Sequence, residues 1–478
     1  MTTRELAVQL TSGQRVVFEL TDTVLTWHVS GRENDVVVPY HQVINASFET
    51  THKLLEVAYL ARKDTERFYL FRYKGTVNDV AEDSVLKWVN CLMHSAYEGS
   101  GVKRSRRLRV LVNPYGGIGK SPLIFTKKIE PIFRVAGCQL NVTYTKHNGH
   151  AHEIAKDIHV DDYDVLVTVS GDGLIHEVMN GFANHADPQK AFSLPIAPIP
   201  TGSGNGLSVN LLGRRDGFDV VAAALNVIKG SPMHVDVFSV TQQNKRTISF
   251  MSQALGLMAD LDLGTENLRW MGDGRFVVGL FRGLMRFKPC PIQLSYKVAE
   301  TDKAKMIQAA KTHRTNLRNC LTPTATAWHD VSEGLPSLKY VSDEGEDWVT
   351  IQEPLLYAYA GKGPFVGRDL MAFPASLPDD GLVDITLFPL TKRADFLQCM
   401  PGAAAGEGFW HPKVRYVKAH AYRVRPLTSN GNLSIDGEAM PFEEFQVEVH
   451  TKLATLLSLH GHYVADLPEP PTNGVQSQ

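Results

Sequence analysis

The sequence predicts a chain of mixed class: a parallel α/β sheet set between an N-terminal all-β region and a longer C-terminal β-rich region. Three observations carry that. Continuous apolar strands alternate with helical stretches between residues 108 and 230, the grammar of a parallel sheet covered on both faces. Short β-branched and aromatic runs broken by polar turns fill residues 1–80 and again 231–460. Glycine-rich loops follow three of the apolar strands. At 478 residues the chain has room for two or three domains, each with its own core.

Residues 1–100 carry the runs RVVFEL, VLTWHV, DVVVPY, LLEVAYL and RFYLFRY, then DSVLKWVNCLMHSAY, which sets Val85, Trp88, Leu92 and Met93 on one helical face. A small antiparallel sheet closed by one helix resembles a PH-type domain. EGSGVKRSRR (98–107) reads as a linker whose basic residues, Lys103, Arg104, Arg106 and Arg107, are either solvated or set against anionic headgroups. Residues 108–230 then run LRVLV and a helix over about 121–136, LNVTYT and HEIAKDI, VLVTV and LIHEVMNGF, LPIAPIP and a helix from about Leu207. From 231 to 460, MHVDVFSV, RTISFMS, WVTIQ, LLYAYA, LVDITLF and FQVEVHT read as strands of a larger β-sandwich domain. Within it, 300–346 is polar and turn-rich and reads as a long mobile insertion. The tail, 461–478, reads as disordered.

Composition narrows the function classes. With 21% charged residues, 49 basic against 51 acidic, the net charge is -2, so no overall field draws nucleic acid and any anionic partner is bound locally. Five scattered cysteines without a C-x-x-C pair argue against a disulfide framework or a zinc site, and for a reducing compartment. The start, MTTRELAVQL, lacks the apolar core of a signal peptide. FVVGLFRGLMRF (276–287), the longest apolar-rich stretch, is interrupted by Arg282 and Arg286 and falls below the ~18 residues that a bilayer span needs. The expectation is a cytoplasmic protein with peripheral association to membranes.

An open parallel sheet delivers its loops to one edge, where ligands bind. Three loops there are unusual: NPYGGIGKS (113–121), SGDG (170–173) and PTGSGNG (200–206). The first fails as a Walker A loop, because Pro114 stands where a glycine is required. The other two do not fit G-x-G-x-x-G, which disfavours a dinucleotide oxidoreductase. Singly, glycine after a strand is ordinary turn chemistry. Together, three such loops form a backbone cradle for a nucleotide polyphosphate. Asp172, between Gly171 and Gly173, faces that cradle as a carboxylate able to take the proton of an acceptor hydroxyl. A helix cap is the other reading of Asp172, and both can hold.

NPYGG, SGDGLIHEVMNG and PTGSGN, in this order, resemble the catalytic domain of the diacylglycerol kinase and sphingosine kinase superfamily. ALGLMADLDLGTENLRWMGDGRF (254–276), LPDDGLVDITLF (377–388) and NLSIDGEAM (432–440) are similar to segments of the sphingosine kinase branch. The resemblance covers roughly residues 108–460. It implies a phosphofructokinase-like nucleotide domain over 108–230, ATP and Mg2+ as cofactors, and a sphingoid base as lipid substrate. Asp172 is then the general base. Asn113, Gly116, Gly117, Thr145, Ser170, Gly171, Gly173, Glu177, Gly202, Ser203 and Asn205 surround ATP. Arg269 and Arg275 neutralise phosphate, and Asp436 and Glu438 sit near the nucleotide and its magnesium, whose direct ligands are not assigned. Asp262 and Glu266 bind the base's polar head. A homodimer is left open.

The residues agree in kind. A lipid amine calls for a carboxylate, and Asp260, Asp262 and Glu266 are at hand, although acids here also suit a helix cap or a solvated face. Arg269 and Arg275 read equally as surface charge, and Asp436 as a turn residue. No spacing pattern unites His147, His150 and His176 as metal ligands. An acyl chain needs an apolar cavity, and Phe276, Leu280, Leu284 and Phe287 fall on one helical face as a candidate wall or lid, or as core. Ceramide kinase and diacylglycerol kinase stand as alternatives, the first because PH-like modules precede such domains there too. A cofactor kinase does not account for ADLDLGTE, and intact glycine loops with Asp172 disfavour a non-catalytic scaffold.

Overall fold

Alternation in the first strands buries every second residue, as in ELAVQL and RVVFEL, where Leu6, Val8, Leu10, Val16, Phe18 and Leu20 face inward. The computed structural model describes residues 4–29, 35–63, 66–117, 119–264, 279, 283, 285–319, 334–341, 345 and 347–470. Seven antiparallel strands form the N-terminal sheet, in the order Val36–Pro39, Val24–Val29, Arg15–Leu20, Glu5–Leu10, Arg67–Thr76, Leu54–Lys63, Val43–Glu49. The helix Glu82–Ala96 closes it with Val85, Trp88, Leu92 and Met93 buried, Trp88 lying 6.0 Å from Phe18 between ring centroids. The all-β region is therefore one sheet and one helix.

The apolar strands of the middle region pair in parallel, in the order Gln139–Tyr144, Arg107–Val112, Val165–Ser170, Ile196–Pro200. Every residue of VLVTVS and IAPIP is buried, as a sheet covered on both faces requires. The chain returns to this sheet at its far end: Phe445–Ser458 pairs in parallel with Ile196–Pro200 through Leu456, and antiparallel with Ser231–Gln242 and Arg415–Pro426. One fourteen-residue strand thus belongs to both the α/β and the β-rich parts, which form a single 15-stranded sheet.

The strands read from the β-rich sequence are present, joined by Ile292–Glu300 and Arg415–Pro426, which periodicity did not signal. Three of them are tied by buried charge. Lys362 Nζ lies 2.9 Å from Asp236 and 2.5 Å from Asp380, Lys418 Nζ 2.7 Å from Asp380 and 2.9 Å from Asp384, and the Tyr416 hydroxyl donates to Asp384. Each cation there has two carboxylates, the condition under which buried charge is tolerated.

Three expectations are corrected. In the tail read as disordered, Tyr463 is buried, Val464 N donates to the Asn210 carbonyl and the Pro468 carbonyl accepts from Trp410 Nε1, so its first part is packed structure. Within 300–346, Lys303–Asn319 is a helix, with Met306, Ile307 and Ala310 buried, so its first half is packed structure. The basic residues of the linker divide: Arg106 leaves solvent, while Lys103, Arg104 and Arg107 stay exposed in part and are held by local partners. Arg106 is buried and donates to the Val227 and Gly230 carbonyls, Lys103 and Arg107 pair with Asp164, and Arg104 lies 5.8 Å from the centroid of the Tyr97 ring. Despite partial burial, the hydrogen bonds from Arg107 and Lys103 hold the Asp164 carboxyl down at about 2.

These contacts belong to a clamp between the N-terminal module and the helix Val220–Lys229. Lys229 Nζ donates to the Ala96 carbonyl and lies 3.1 Å from the Tyr97 ring centroid, Arg62 pairs with Asp216, and Asp219 accepts from Phe68 N while capping Val221 N and Ala222 N. Asp219→Ala removes a helix cap and leaves the Phe68 amide unpaired. Urea unfolding of this variant is expected to show a loss of about 2–3 kcal/mol, and an unchanged midpoint would mean that the module and the helix are not coupled through Asp219.

Candidate active site

The C-terminal ends of the parallel strands bring three loops together, and their glycines serve each other first. A Cβ on Gly117, at φ 60°, would stand 2.3 Å from the Thr201 carbonyl oxygen. One on Gly202 would stand 2.4 Å from the Gly171 Cα. The loops are in backbone contact, which side chains would prevent. The Asn113 amide donates to Ser170 Oγ (3.2 Å), and Ser121 Oγ donates to Thr201 Oγ1 (2.9 Å). Asn205 departs from its expected place beside ATP. It is buried at φ 51°, with both amide atoms bonded to Gly202, and it closes the loop rather than lining the cavity.

The cavity so formed has a volume of about 400 Å³. Asn113, Gly116, Gly117, Thr145, Ser170, Gly171, Asp172, Gly173, Glu177, Gly202, Ser203, Asp436 and Glu438 all line it. Glu177 is held by Ala151 N at 3.0 Å. Asp172 begins the helix Asp172–Ala183 yet caps another: its carboxylate accepts from Gly206 N (2.7 Å) and Leu207 N (3.1 Å), the first amides of the helix Gly206–Asp216. Burial, with the nearby Asp436 charge, raises its pKa to about 6, and those two amides offset only part of the rise.

Asp436 lies in the cavity wall as a fully bonded carboxylate. Its side chain is fully buried and accepts from Ser249 Oγ, Met251 N, Ser252 N, Phe250 N and His176 Nδ1 at 2.8–3.2 Å. Both oxygens are taken up, so Asp436, which lines the cavity beside Glu438 as expected, serves there as an anchor. Burial lowers the His176 pKa, but the hydrogen bond to Asp436 outweighs it and leaves the ring more basic than usual. Glu438, two residues on, lies beside Gly173, whose added Cβ would stand 3.2 Å from Glu438 Oε1; its carboxylate opens on the cavity with no hydrogen bond among the described residues.

A second cavity, about 280 Å³ and mainly apolar, adjoins the first. Gly204, Asp262, Tyr359 and Val366 line both. The two acids of ADLDL are separated here: Asp260 bonds to Asn432 Nδ2 at 2.7 Å, while Asp262 accepts from Ser434 Oγ at 3.1 Å on the junction. The apolar walls include Leu261, Tyr357, Leu370, Met371, Phe396, Met400, Phe409 and Val414. Sequence reading missed these residues of 357–414. Phe287, expected in the wall, instead packs under Arg393, 5.6 Å from its ring centroid, and does not line the cavity. Glu266, Arg269, Arg275, Phe276, Leu280 and Leu284 lie outside the described residues.

Fold and site together define a lipid kinase of the diacylglycerol kinase class. Residues 107–240 match the family model described as diacylglycerol kinase catalytic domain, and 347–458 that of the YegS C-terminal NAD kinase beta sandwich-like domain. A Bacillus anthracis crystal structure, described provisionally as a diacylglycerol kinase, superposes with a TM-score of 0.51 at 18% identity, over 74% of this chain and 98% of that one, and supports the fold. Sphingoid long chain base kinase 4 of Schizosaccharomyces pombe is 34% identical over 372 residues, 77% of this chain and 78% of that one. Human sphingosine kinase 1 is 27% identical over 74% of this chain and 91% of its own length. The chain belongs to the sphingoid long-chain base kinase family.

The anchor role of Asp436 is open to test. Asp436→Ala strands three buried amides and His176, and is expected to lower stability by about 3–5 kcal/mol in denaturant unfolding. Normal stability in this variant would overturn the anchor role.

Proposed function

We propose that this chain transfers the γ-phosphoryl group of ATP to the primary hydroxyl of a sphingoid long-chain base, giving the base 1-phosphate. The observation that carries it is the junction: a polar, glycine-walled cavity holding Asp172 opens into an apolar one at Asp262. An amphiphile with a hydroxyl and an amine at one end suits that pair. Its chain lies in the apolar cavity, its ammonium meets the Asp262 carboxylate, and its hydroxyl is delivered toward Asp172. Ceramide and diacylglycerol bring no such charge for Asp262 to meet.

In the reaction the acceptor oxygen bonds to the γ-phosphorus, the bond from that phosphorus to the β,γ-bridging oxygen breaks, and ADP leaves. Asp172 takes the hydroxyl proton. Its raised pKa suits it to a transfer near neutral pH. The loop amides around Gly116, Gly171 and Ser203 cradle the phosphates, and Arg269 and Arg275 are read as their counter-charges. Glu438 is the carboxylate free to hold Mg2+, which would supply charge neutralisation on the phosphates. The nucleotide part is read as phosphofructokinase-like and the N-terminal sheet and helix as PH-like. Access to substrate is read as peripheral contact with a membrane; among the described residues no helix is long and apolar enough to cross one.

Labelled phosphate should pass from ATP to sphingosine, dihydrosphingosine and phytosphingosine in detergent micelles, and not to ceramide or diacylglycerol; transfer to the latter two would overturn the reading of Asp262. Asp172→Asn is expected to lower kcat by about 10²–10⁴ while ATP and lipid binding persist. Holding Asp172 ionised costs up to about 3 kcal/mol, a penalty that develops as pH rises from the unfolded carboxyl range through about 6, so the variant should unfold no earlier than the wild type at neutral pH. The wild-type rate should rise with pH through an apparent pKa of about 6 and level off above it, since the base works ionised. A flat acid limb would remove Asp172 from that role.

A further inference from the structure

The helix Leu257–Leu263 stands between two cavities. Leu261 and Asp262 line the apolar one. Leu257 and Asp260 line a third cavity, about 420 Å³ and mainly polar, which phosphoryl transfer does not use. Arg286 and Lys288 reach it from one segment, and Ser429, Asn430 and Asn432 from the loop before the strand Leu433–Ile435. Both cations are exposed and make no hydrogen bond or ion pair among the described residues. The one carboxylate among the described lining residues, Asp260, is already met by Asn432 Nδ2 at 2.7 Å. Two uncommitted cations beside hydroxyl and amide donors suit a phosphate group.

A second observation says what carries that phosphate. Met285, next to Arg286, is 68% exposed. Leu427, whose amide donates to the carbonyl of Pro291 in the cavity wall, is 65% exposed. Arg393 donates to the Met285 carbonyl at 3.3 Å, and Leu397, one turn further along the helix Arg393–Gln398, is exposed as well. Phe396 of the same helix lines the apolar cavity from within. Singly, exposed aliphatic side chains are ordinary. Three of them beside a basic cavity, on the outside of the lipid cavity's wall, suit the boundary between headgroups and acyl chains. A soluble phosphate would need the cations alone.

We infer that this third cavity binds the phosphate of an anionic phospholipid between Arg286 and Lys288, while Met285, Leu397 and Leu427 enter the surface of the bilayer. This rests on the proposed membrane contact and not on the transfer chemistry. The consequence is positional. The lipid surface then lies against one side of the helix that presents Asp262 on its other side, so a base leaving the bilayer meets the apolar cavity across about 10 Å, the width of one helix.

The test is co-sedimentation of the full chain with vesicles of phosphatidylcholine, alone or mixed with phosphatidic acid. The wild type is expected to bind the mixed vesicles about tenfold or more tighter. Arg286→Gln/Lys288→Gln should bring the two within about threefold while its rate in detergent micelles is kept. Lys127→Gln/Lys128→Gln, which removes the same charge from the exposed side of Phe125–Ile129, should keep the preference. Met285→Ser/Leu427→Ser should weaken binding to the mixed vesicles too. No preference in the wild type, or an equal loss in the Lys127 and Lys128 variant, would overturn the inference. Release of the mixed vesicles by inorganic phosphate, with no effect of the Met285 and Leu427 changes, would also overturn it and mark a soluble phosphate as the occupant. Vesicle binding without phosphorylation of any sphingoid base would leave this inference standing and overturn the kinase reading.

Discussion

One buried carboxylate organises this active site. Asp436 stands in a left-handed turn, φ 51°, between the short strands Leu433–Ile435 and Glu438–Met440. It takes three consecutive amides, Phe250 to Ser252, where the strands Lys245–Ser249 and Ser252–Gly256 meet, and a histidine from the helix that begins at Asp172. A charge removed from water in this way is tolerable only if its oxygens are fully bonded. The demand fixes the β-rich part against the nucleotide cavity. Glu438 follows two residues later, so its reach into the cavity depends on the same anchor.

The arrangement has a cost that falls on Asp172, the proposed base. Asp436 adds its charge to the burial that already disfavours an ionised Asp172. The two amides that Asp172 caps keep it from being neutral throughout the useful pH range. A carboxylate left unpaired would titrate too high, and one saturated with donors would hold no basicity for a hydroxyl proton. Asp172 stands between these limits. Its two capping bonds and its proposed chemical role are served by the same two oxygens.

What the sequence made legible was local chemistry. Strand, glycine loop and helix are written in consecutive residues, so SGDG and its neighbours announce a cradle, and Asp172 announces itself within it. The functions of Asn205 and Asp436 were not legible, because which partner consumes an amide or a carboxylate is decided by segments far away in the chain. The same holds for Arg106, which linker composition made look solvated and which is buried against Val227 and Gly230. The apolar wall escaped for a different reason: it is assembled from single residues of strands, turns and short helices between 357 and 414, none periodic enough to mark a face. A signal did exist in LLYAYA. Read as a strand, it places Tyr357 and Tyr359 on one side, an unusual pair of hydroxyls for a run otherwise aliphatic.

A kinase for an amphiphile must hold a charged, hydrated reactant and a hydrocarbon chain in fixed register, although each prefers surroundings that exclude the other. Here the two environments are built by different parts of the chain, the polar one by loops of the parallel sheet and the apolar one by the β-rich part. Their offset could drift if a linker joined them. Phe445–Ser458 prevents this by running through both as one strand, bonded to Ile196–Pro200 at one end and to Arg415–Pro426 at the other. The two cavities are therefore held in one frame by that strand. In the proposed reading, a lipid whose amine and hydroxyl lie on adjacent carbons meets two environments held in one frame, which a linker between them would not supply.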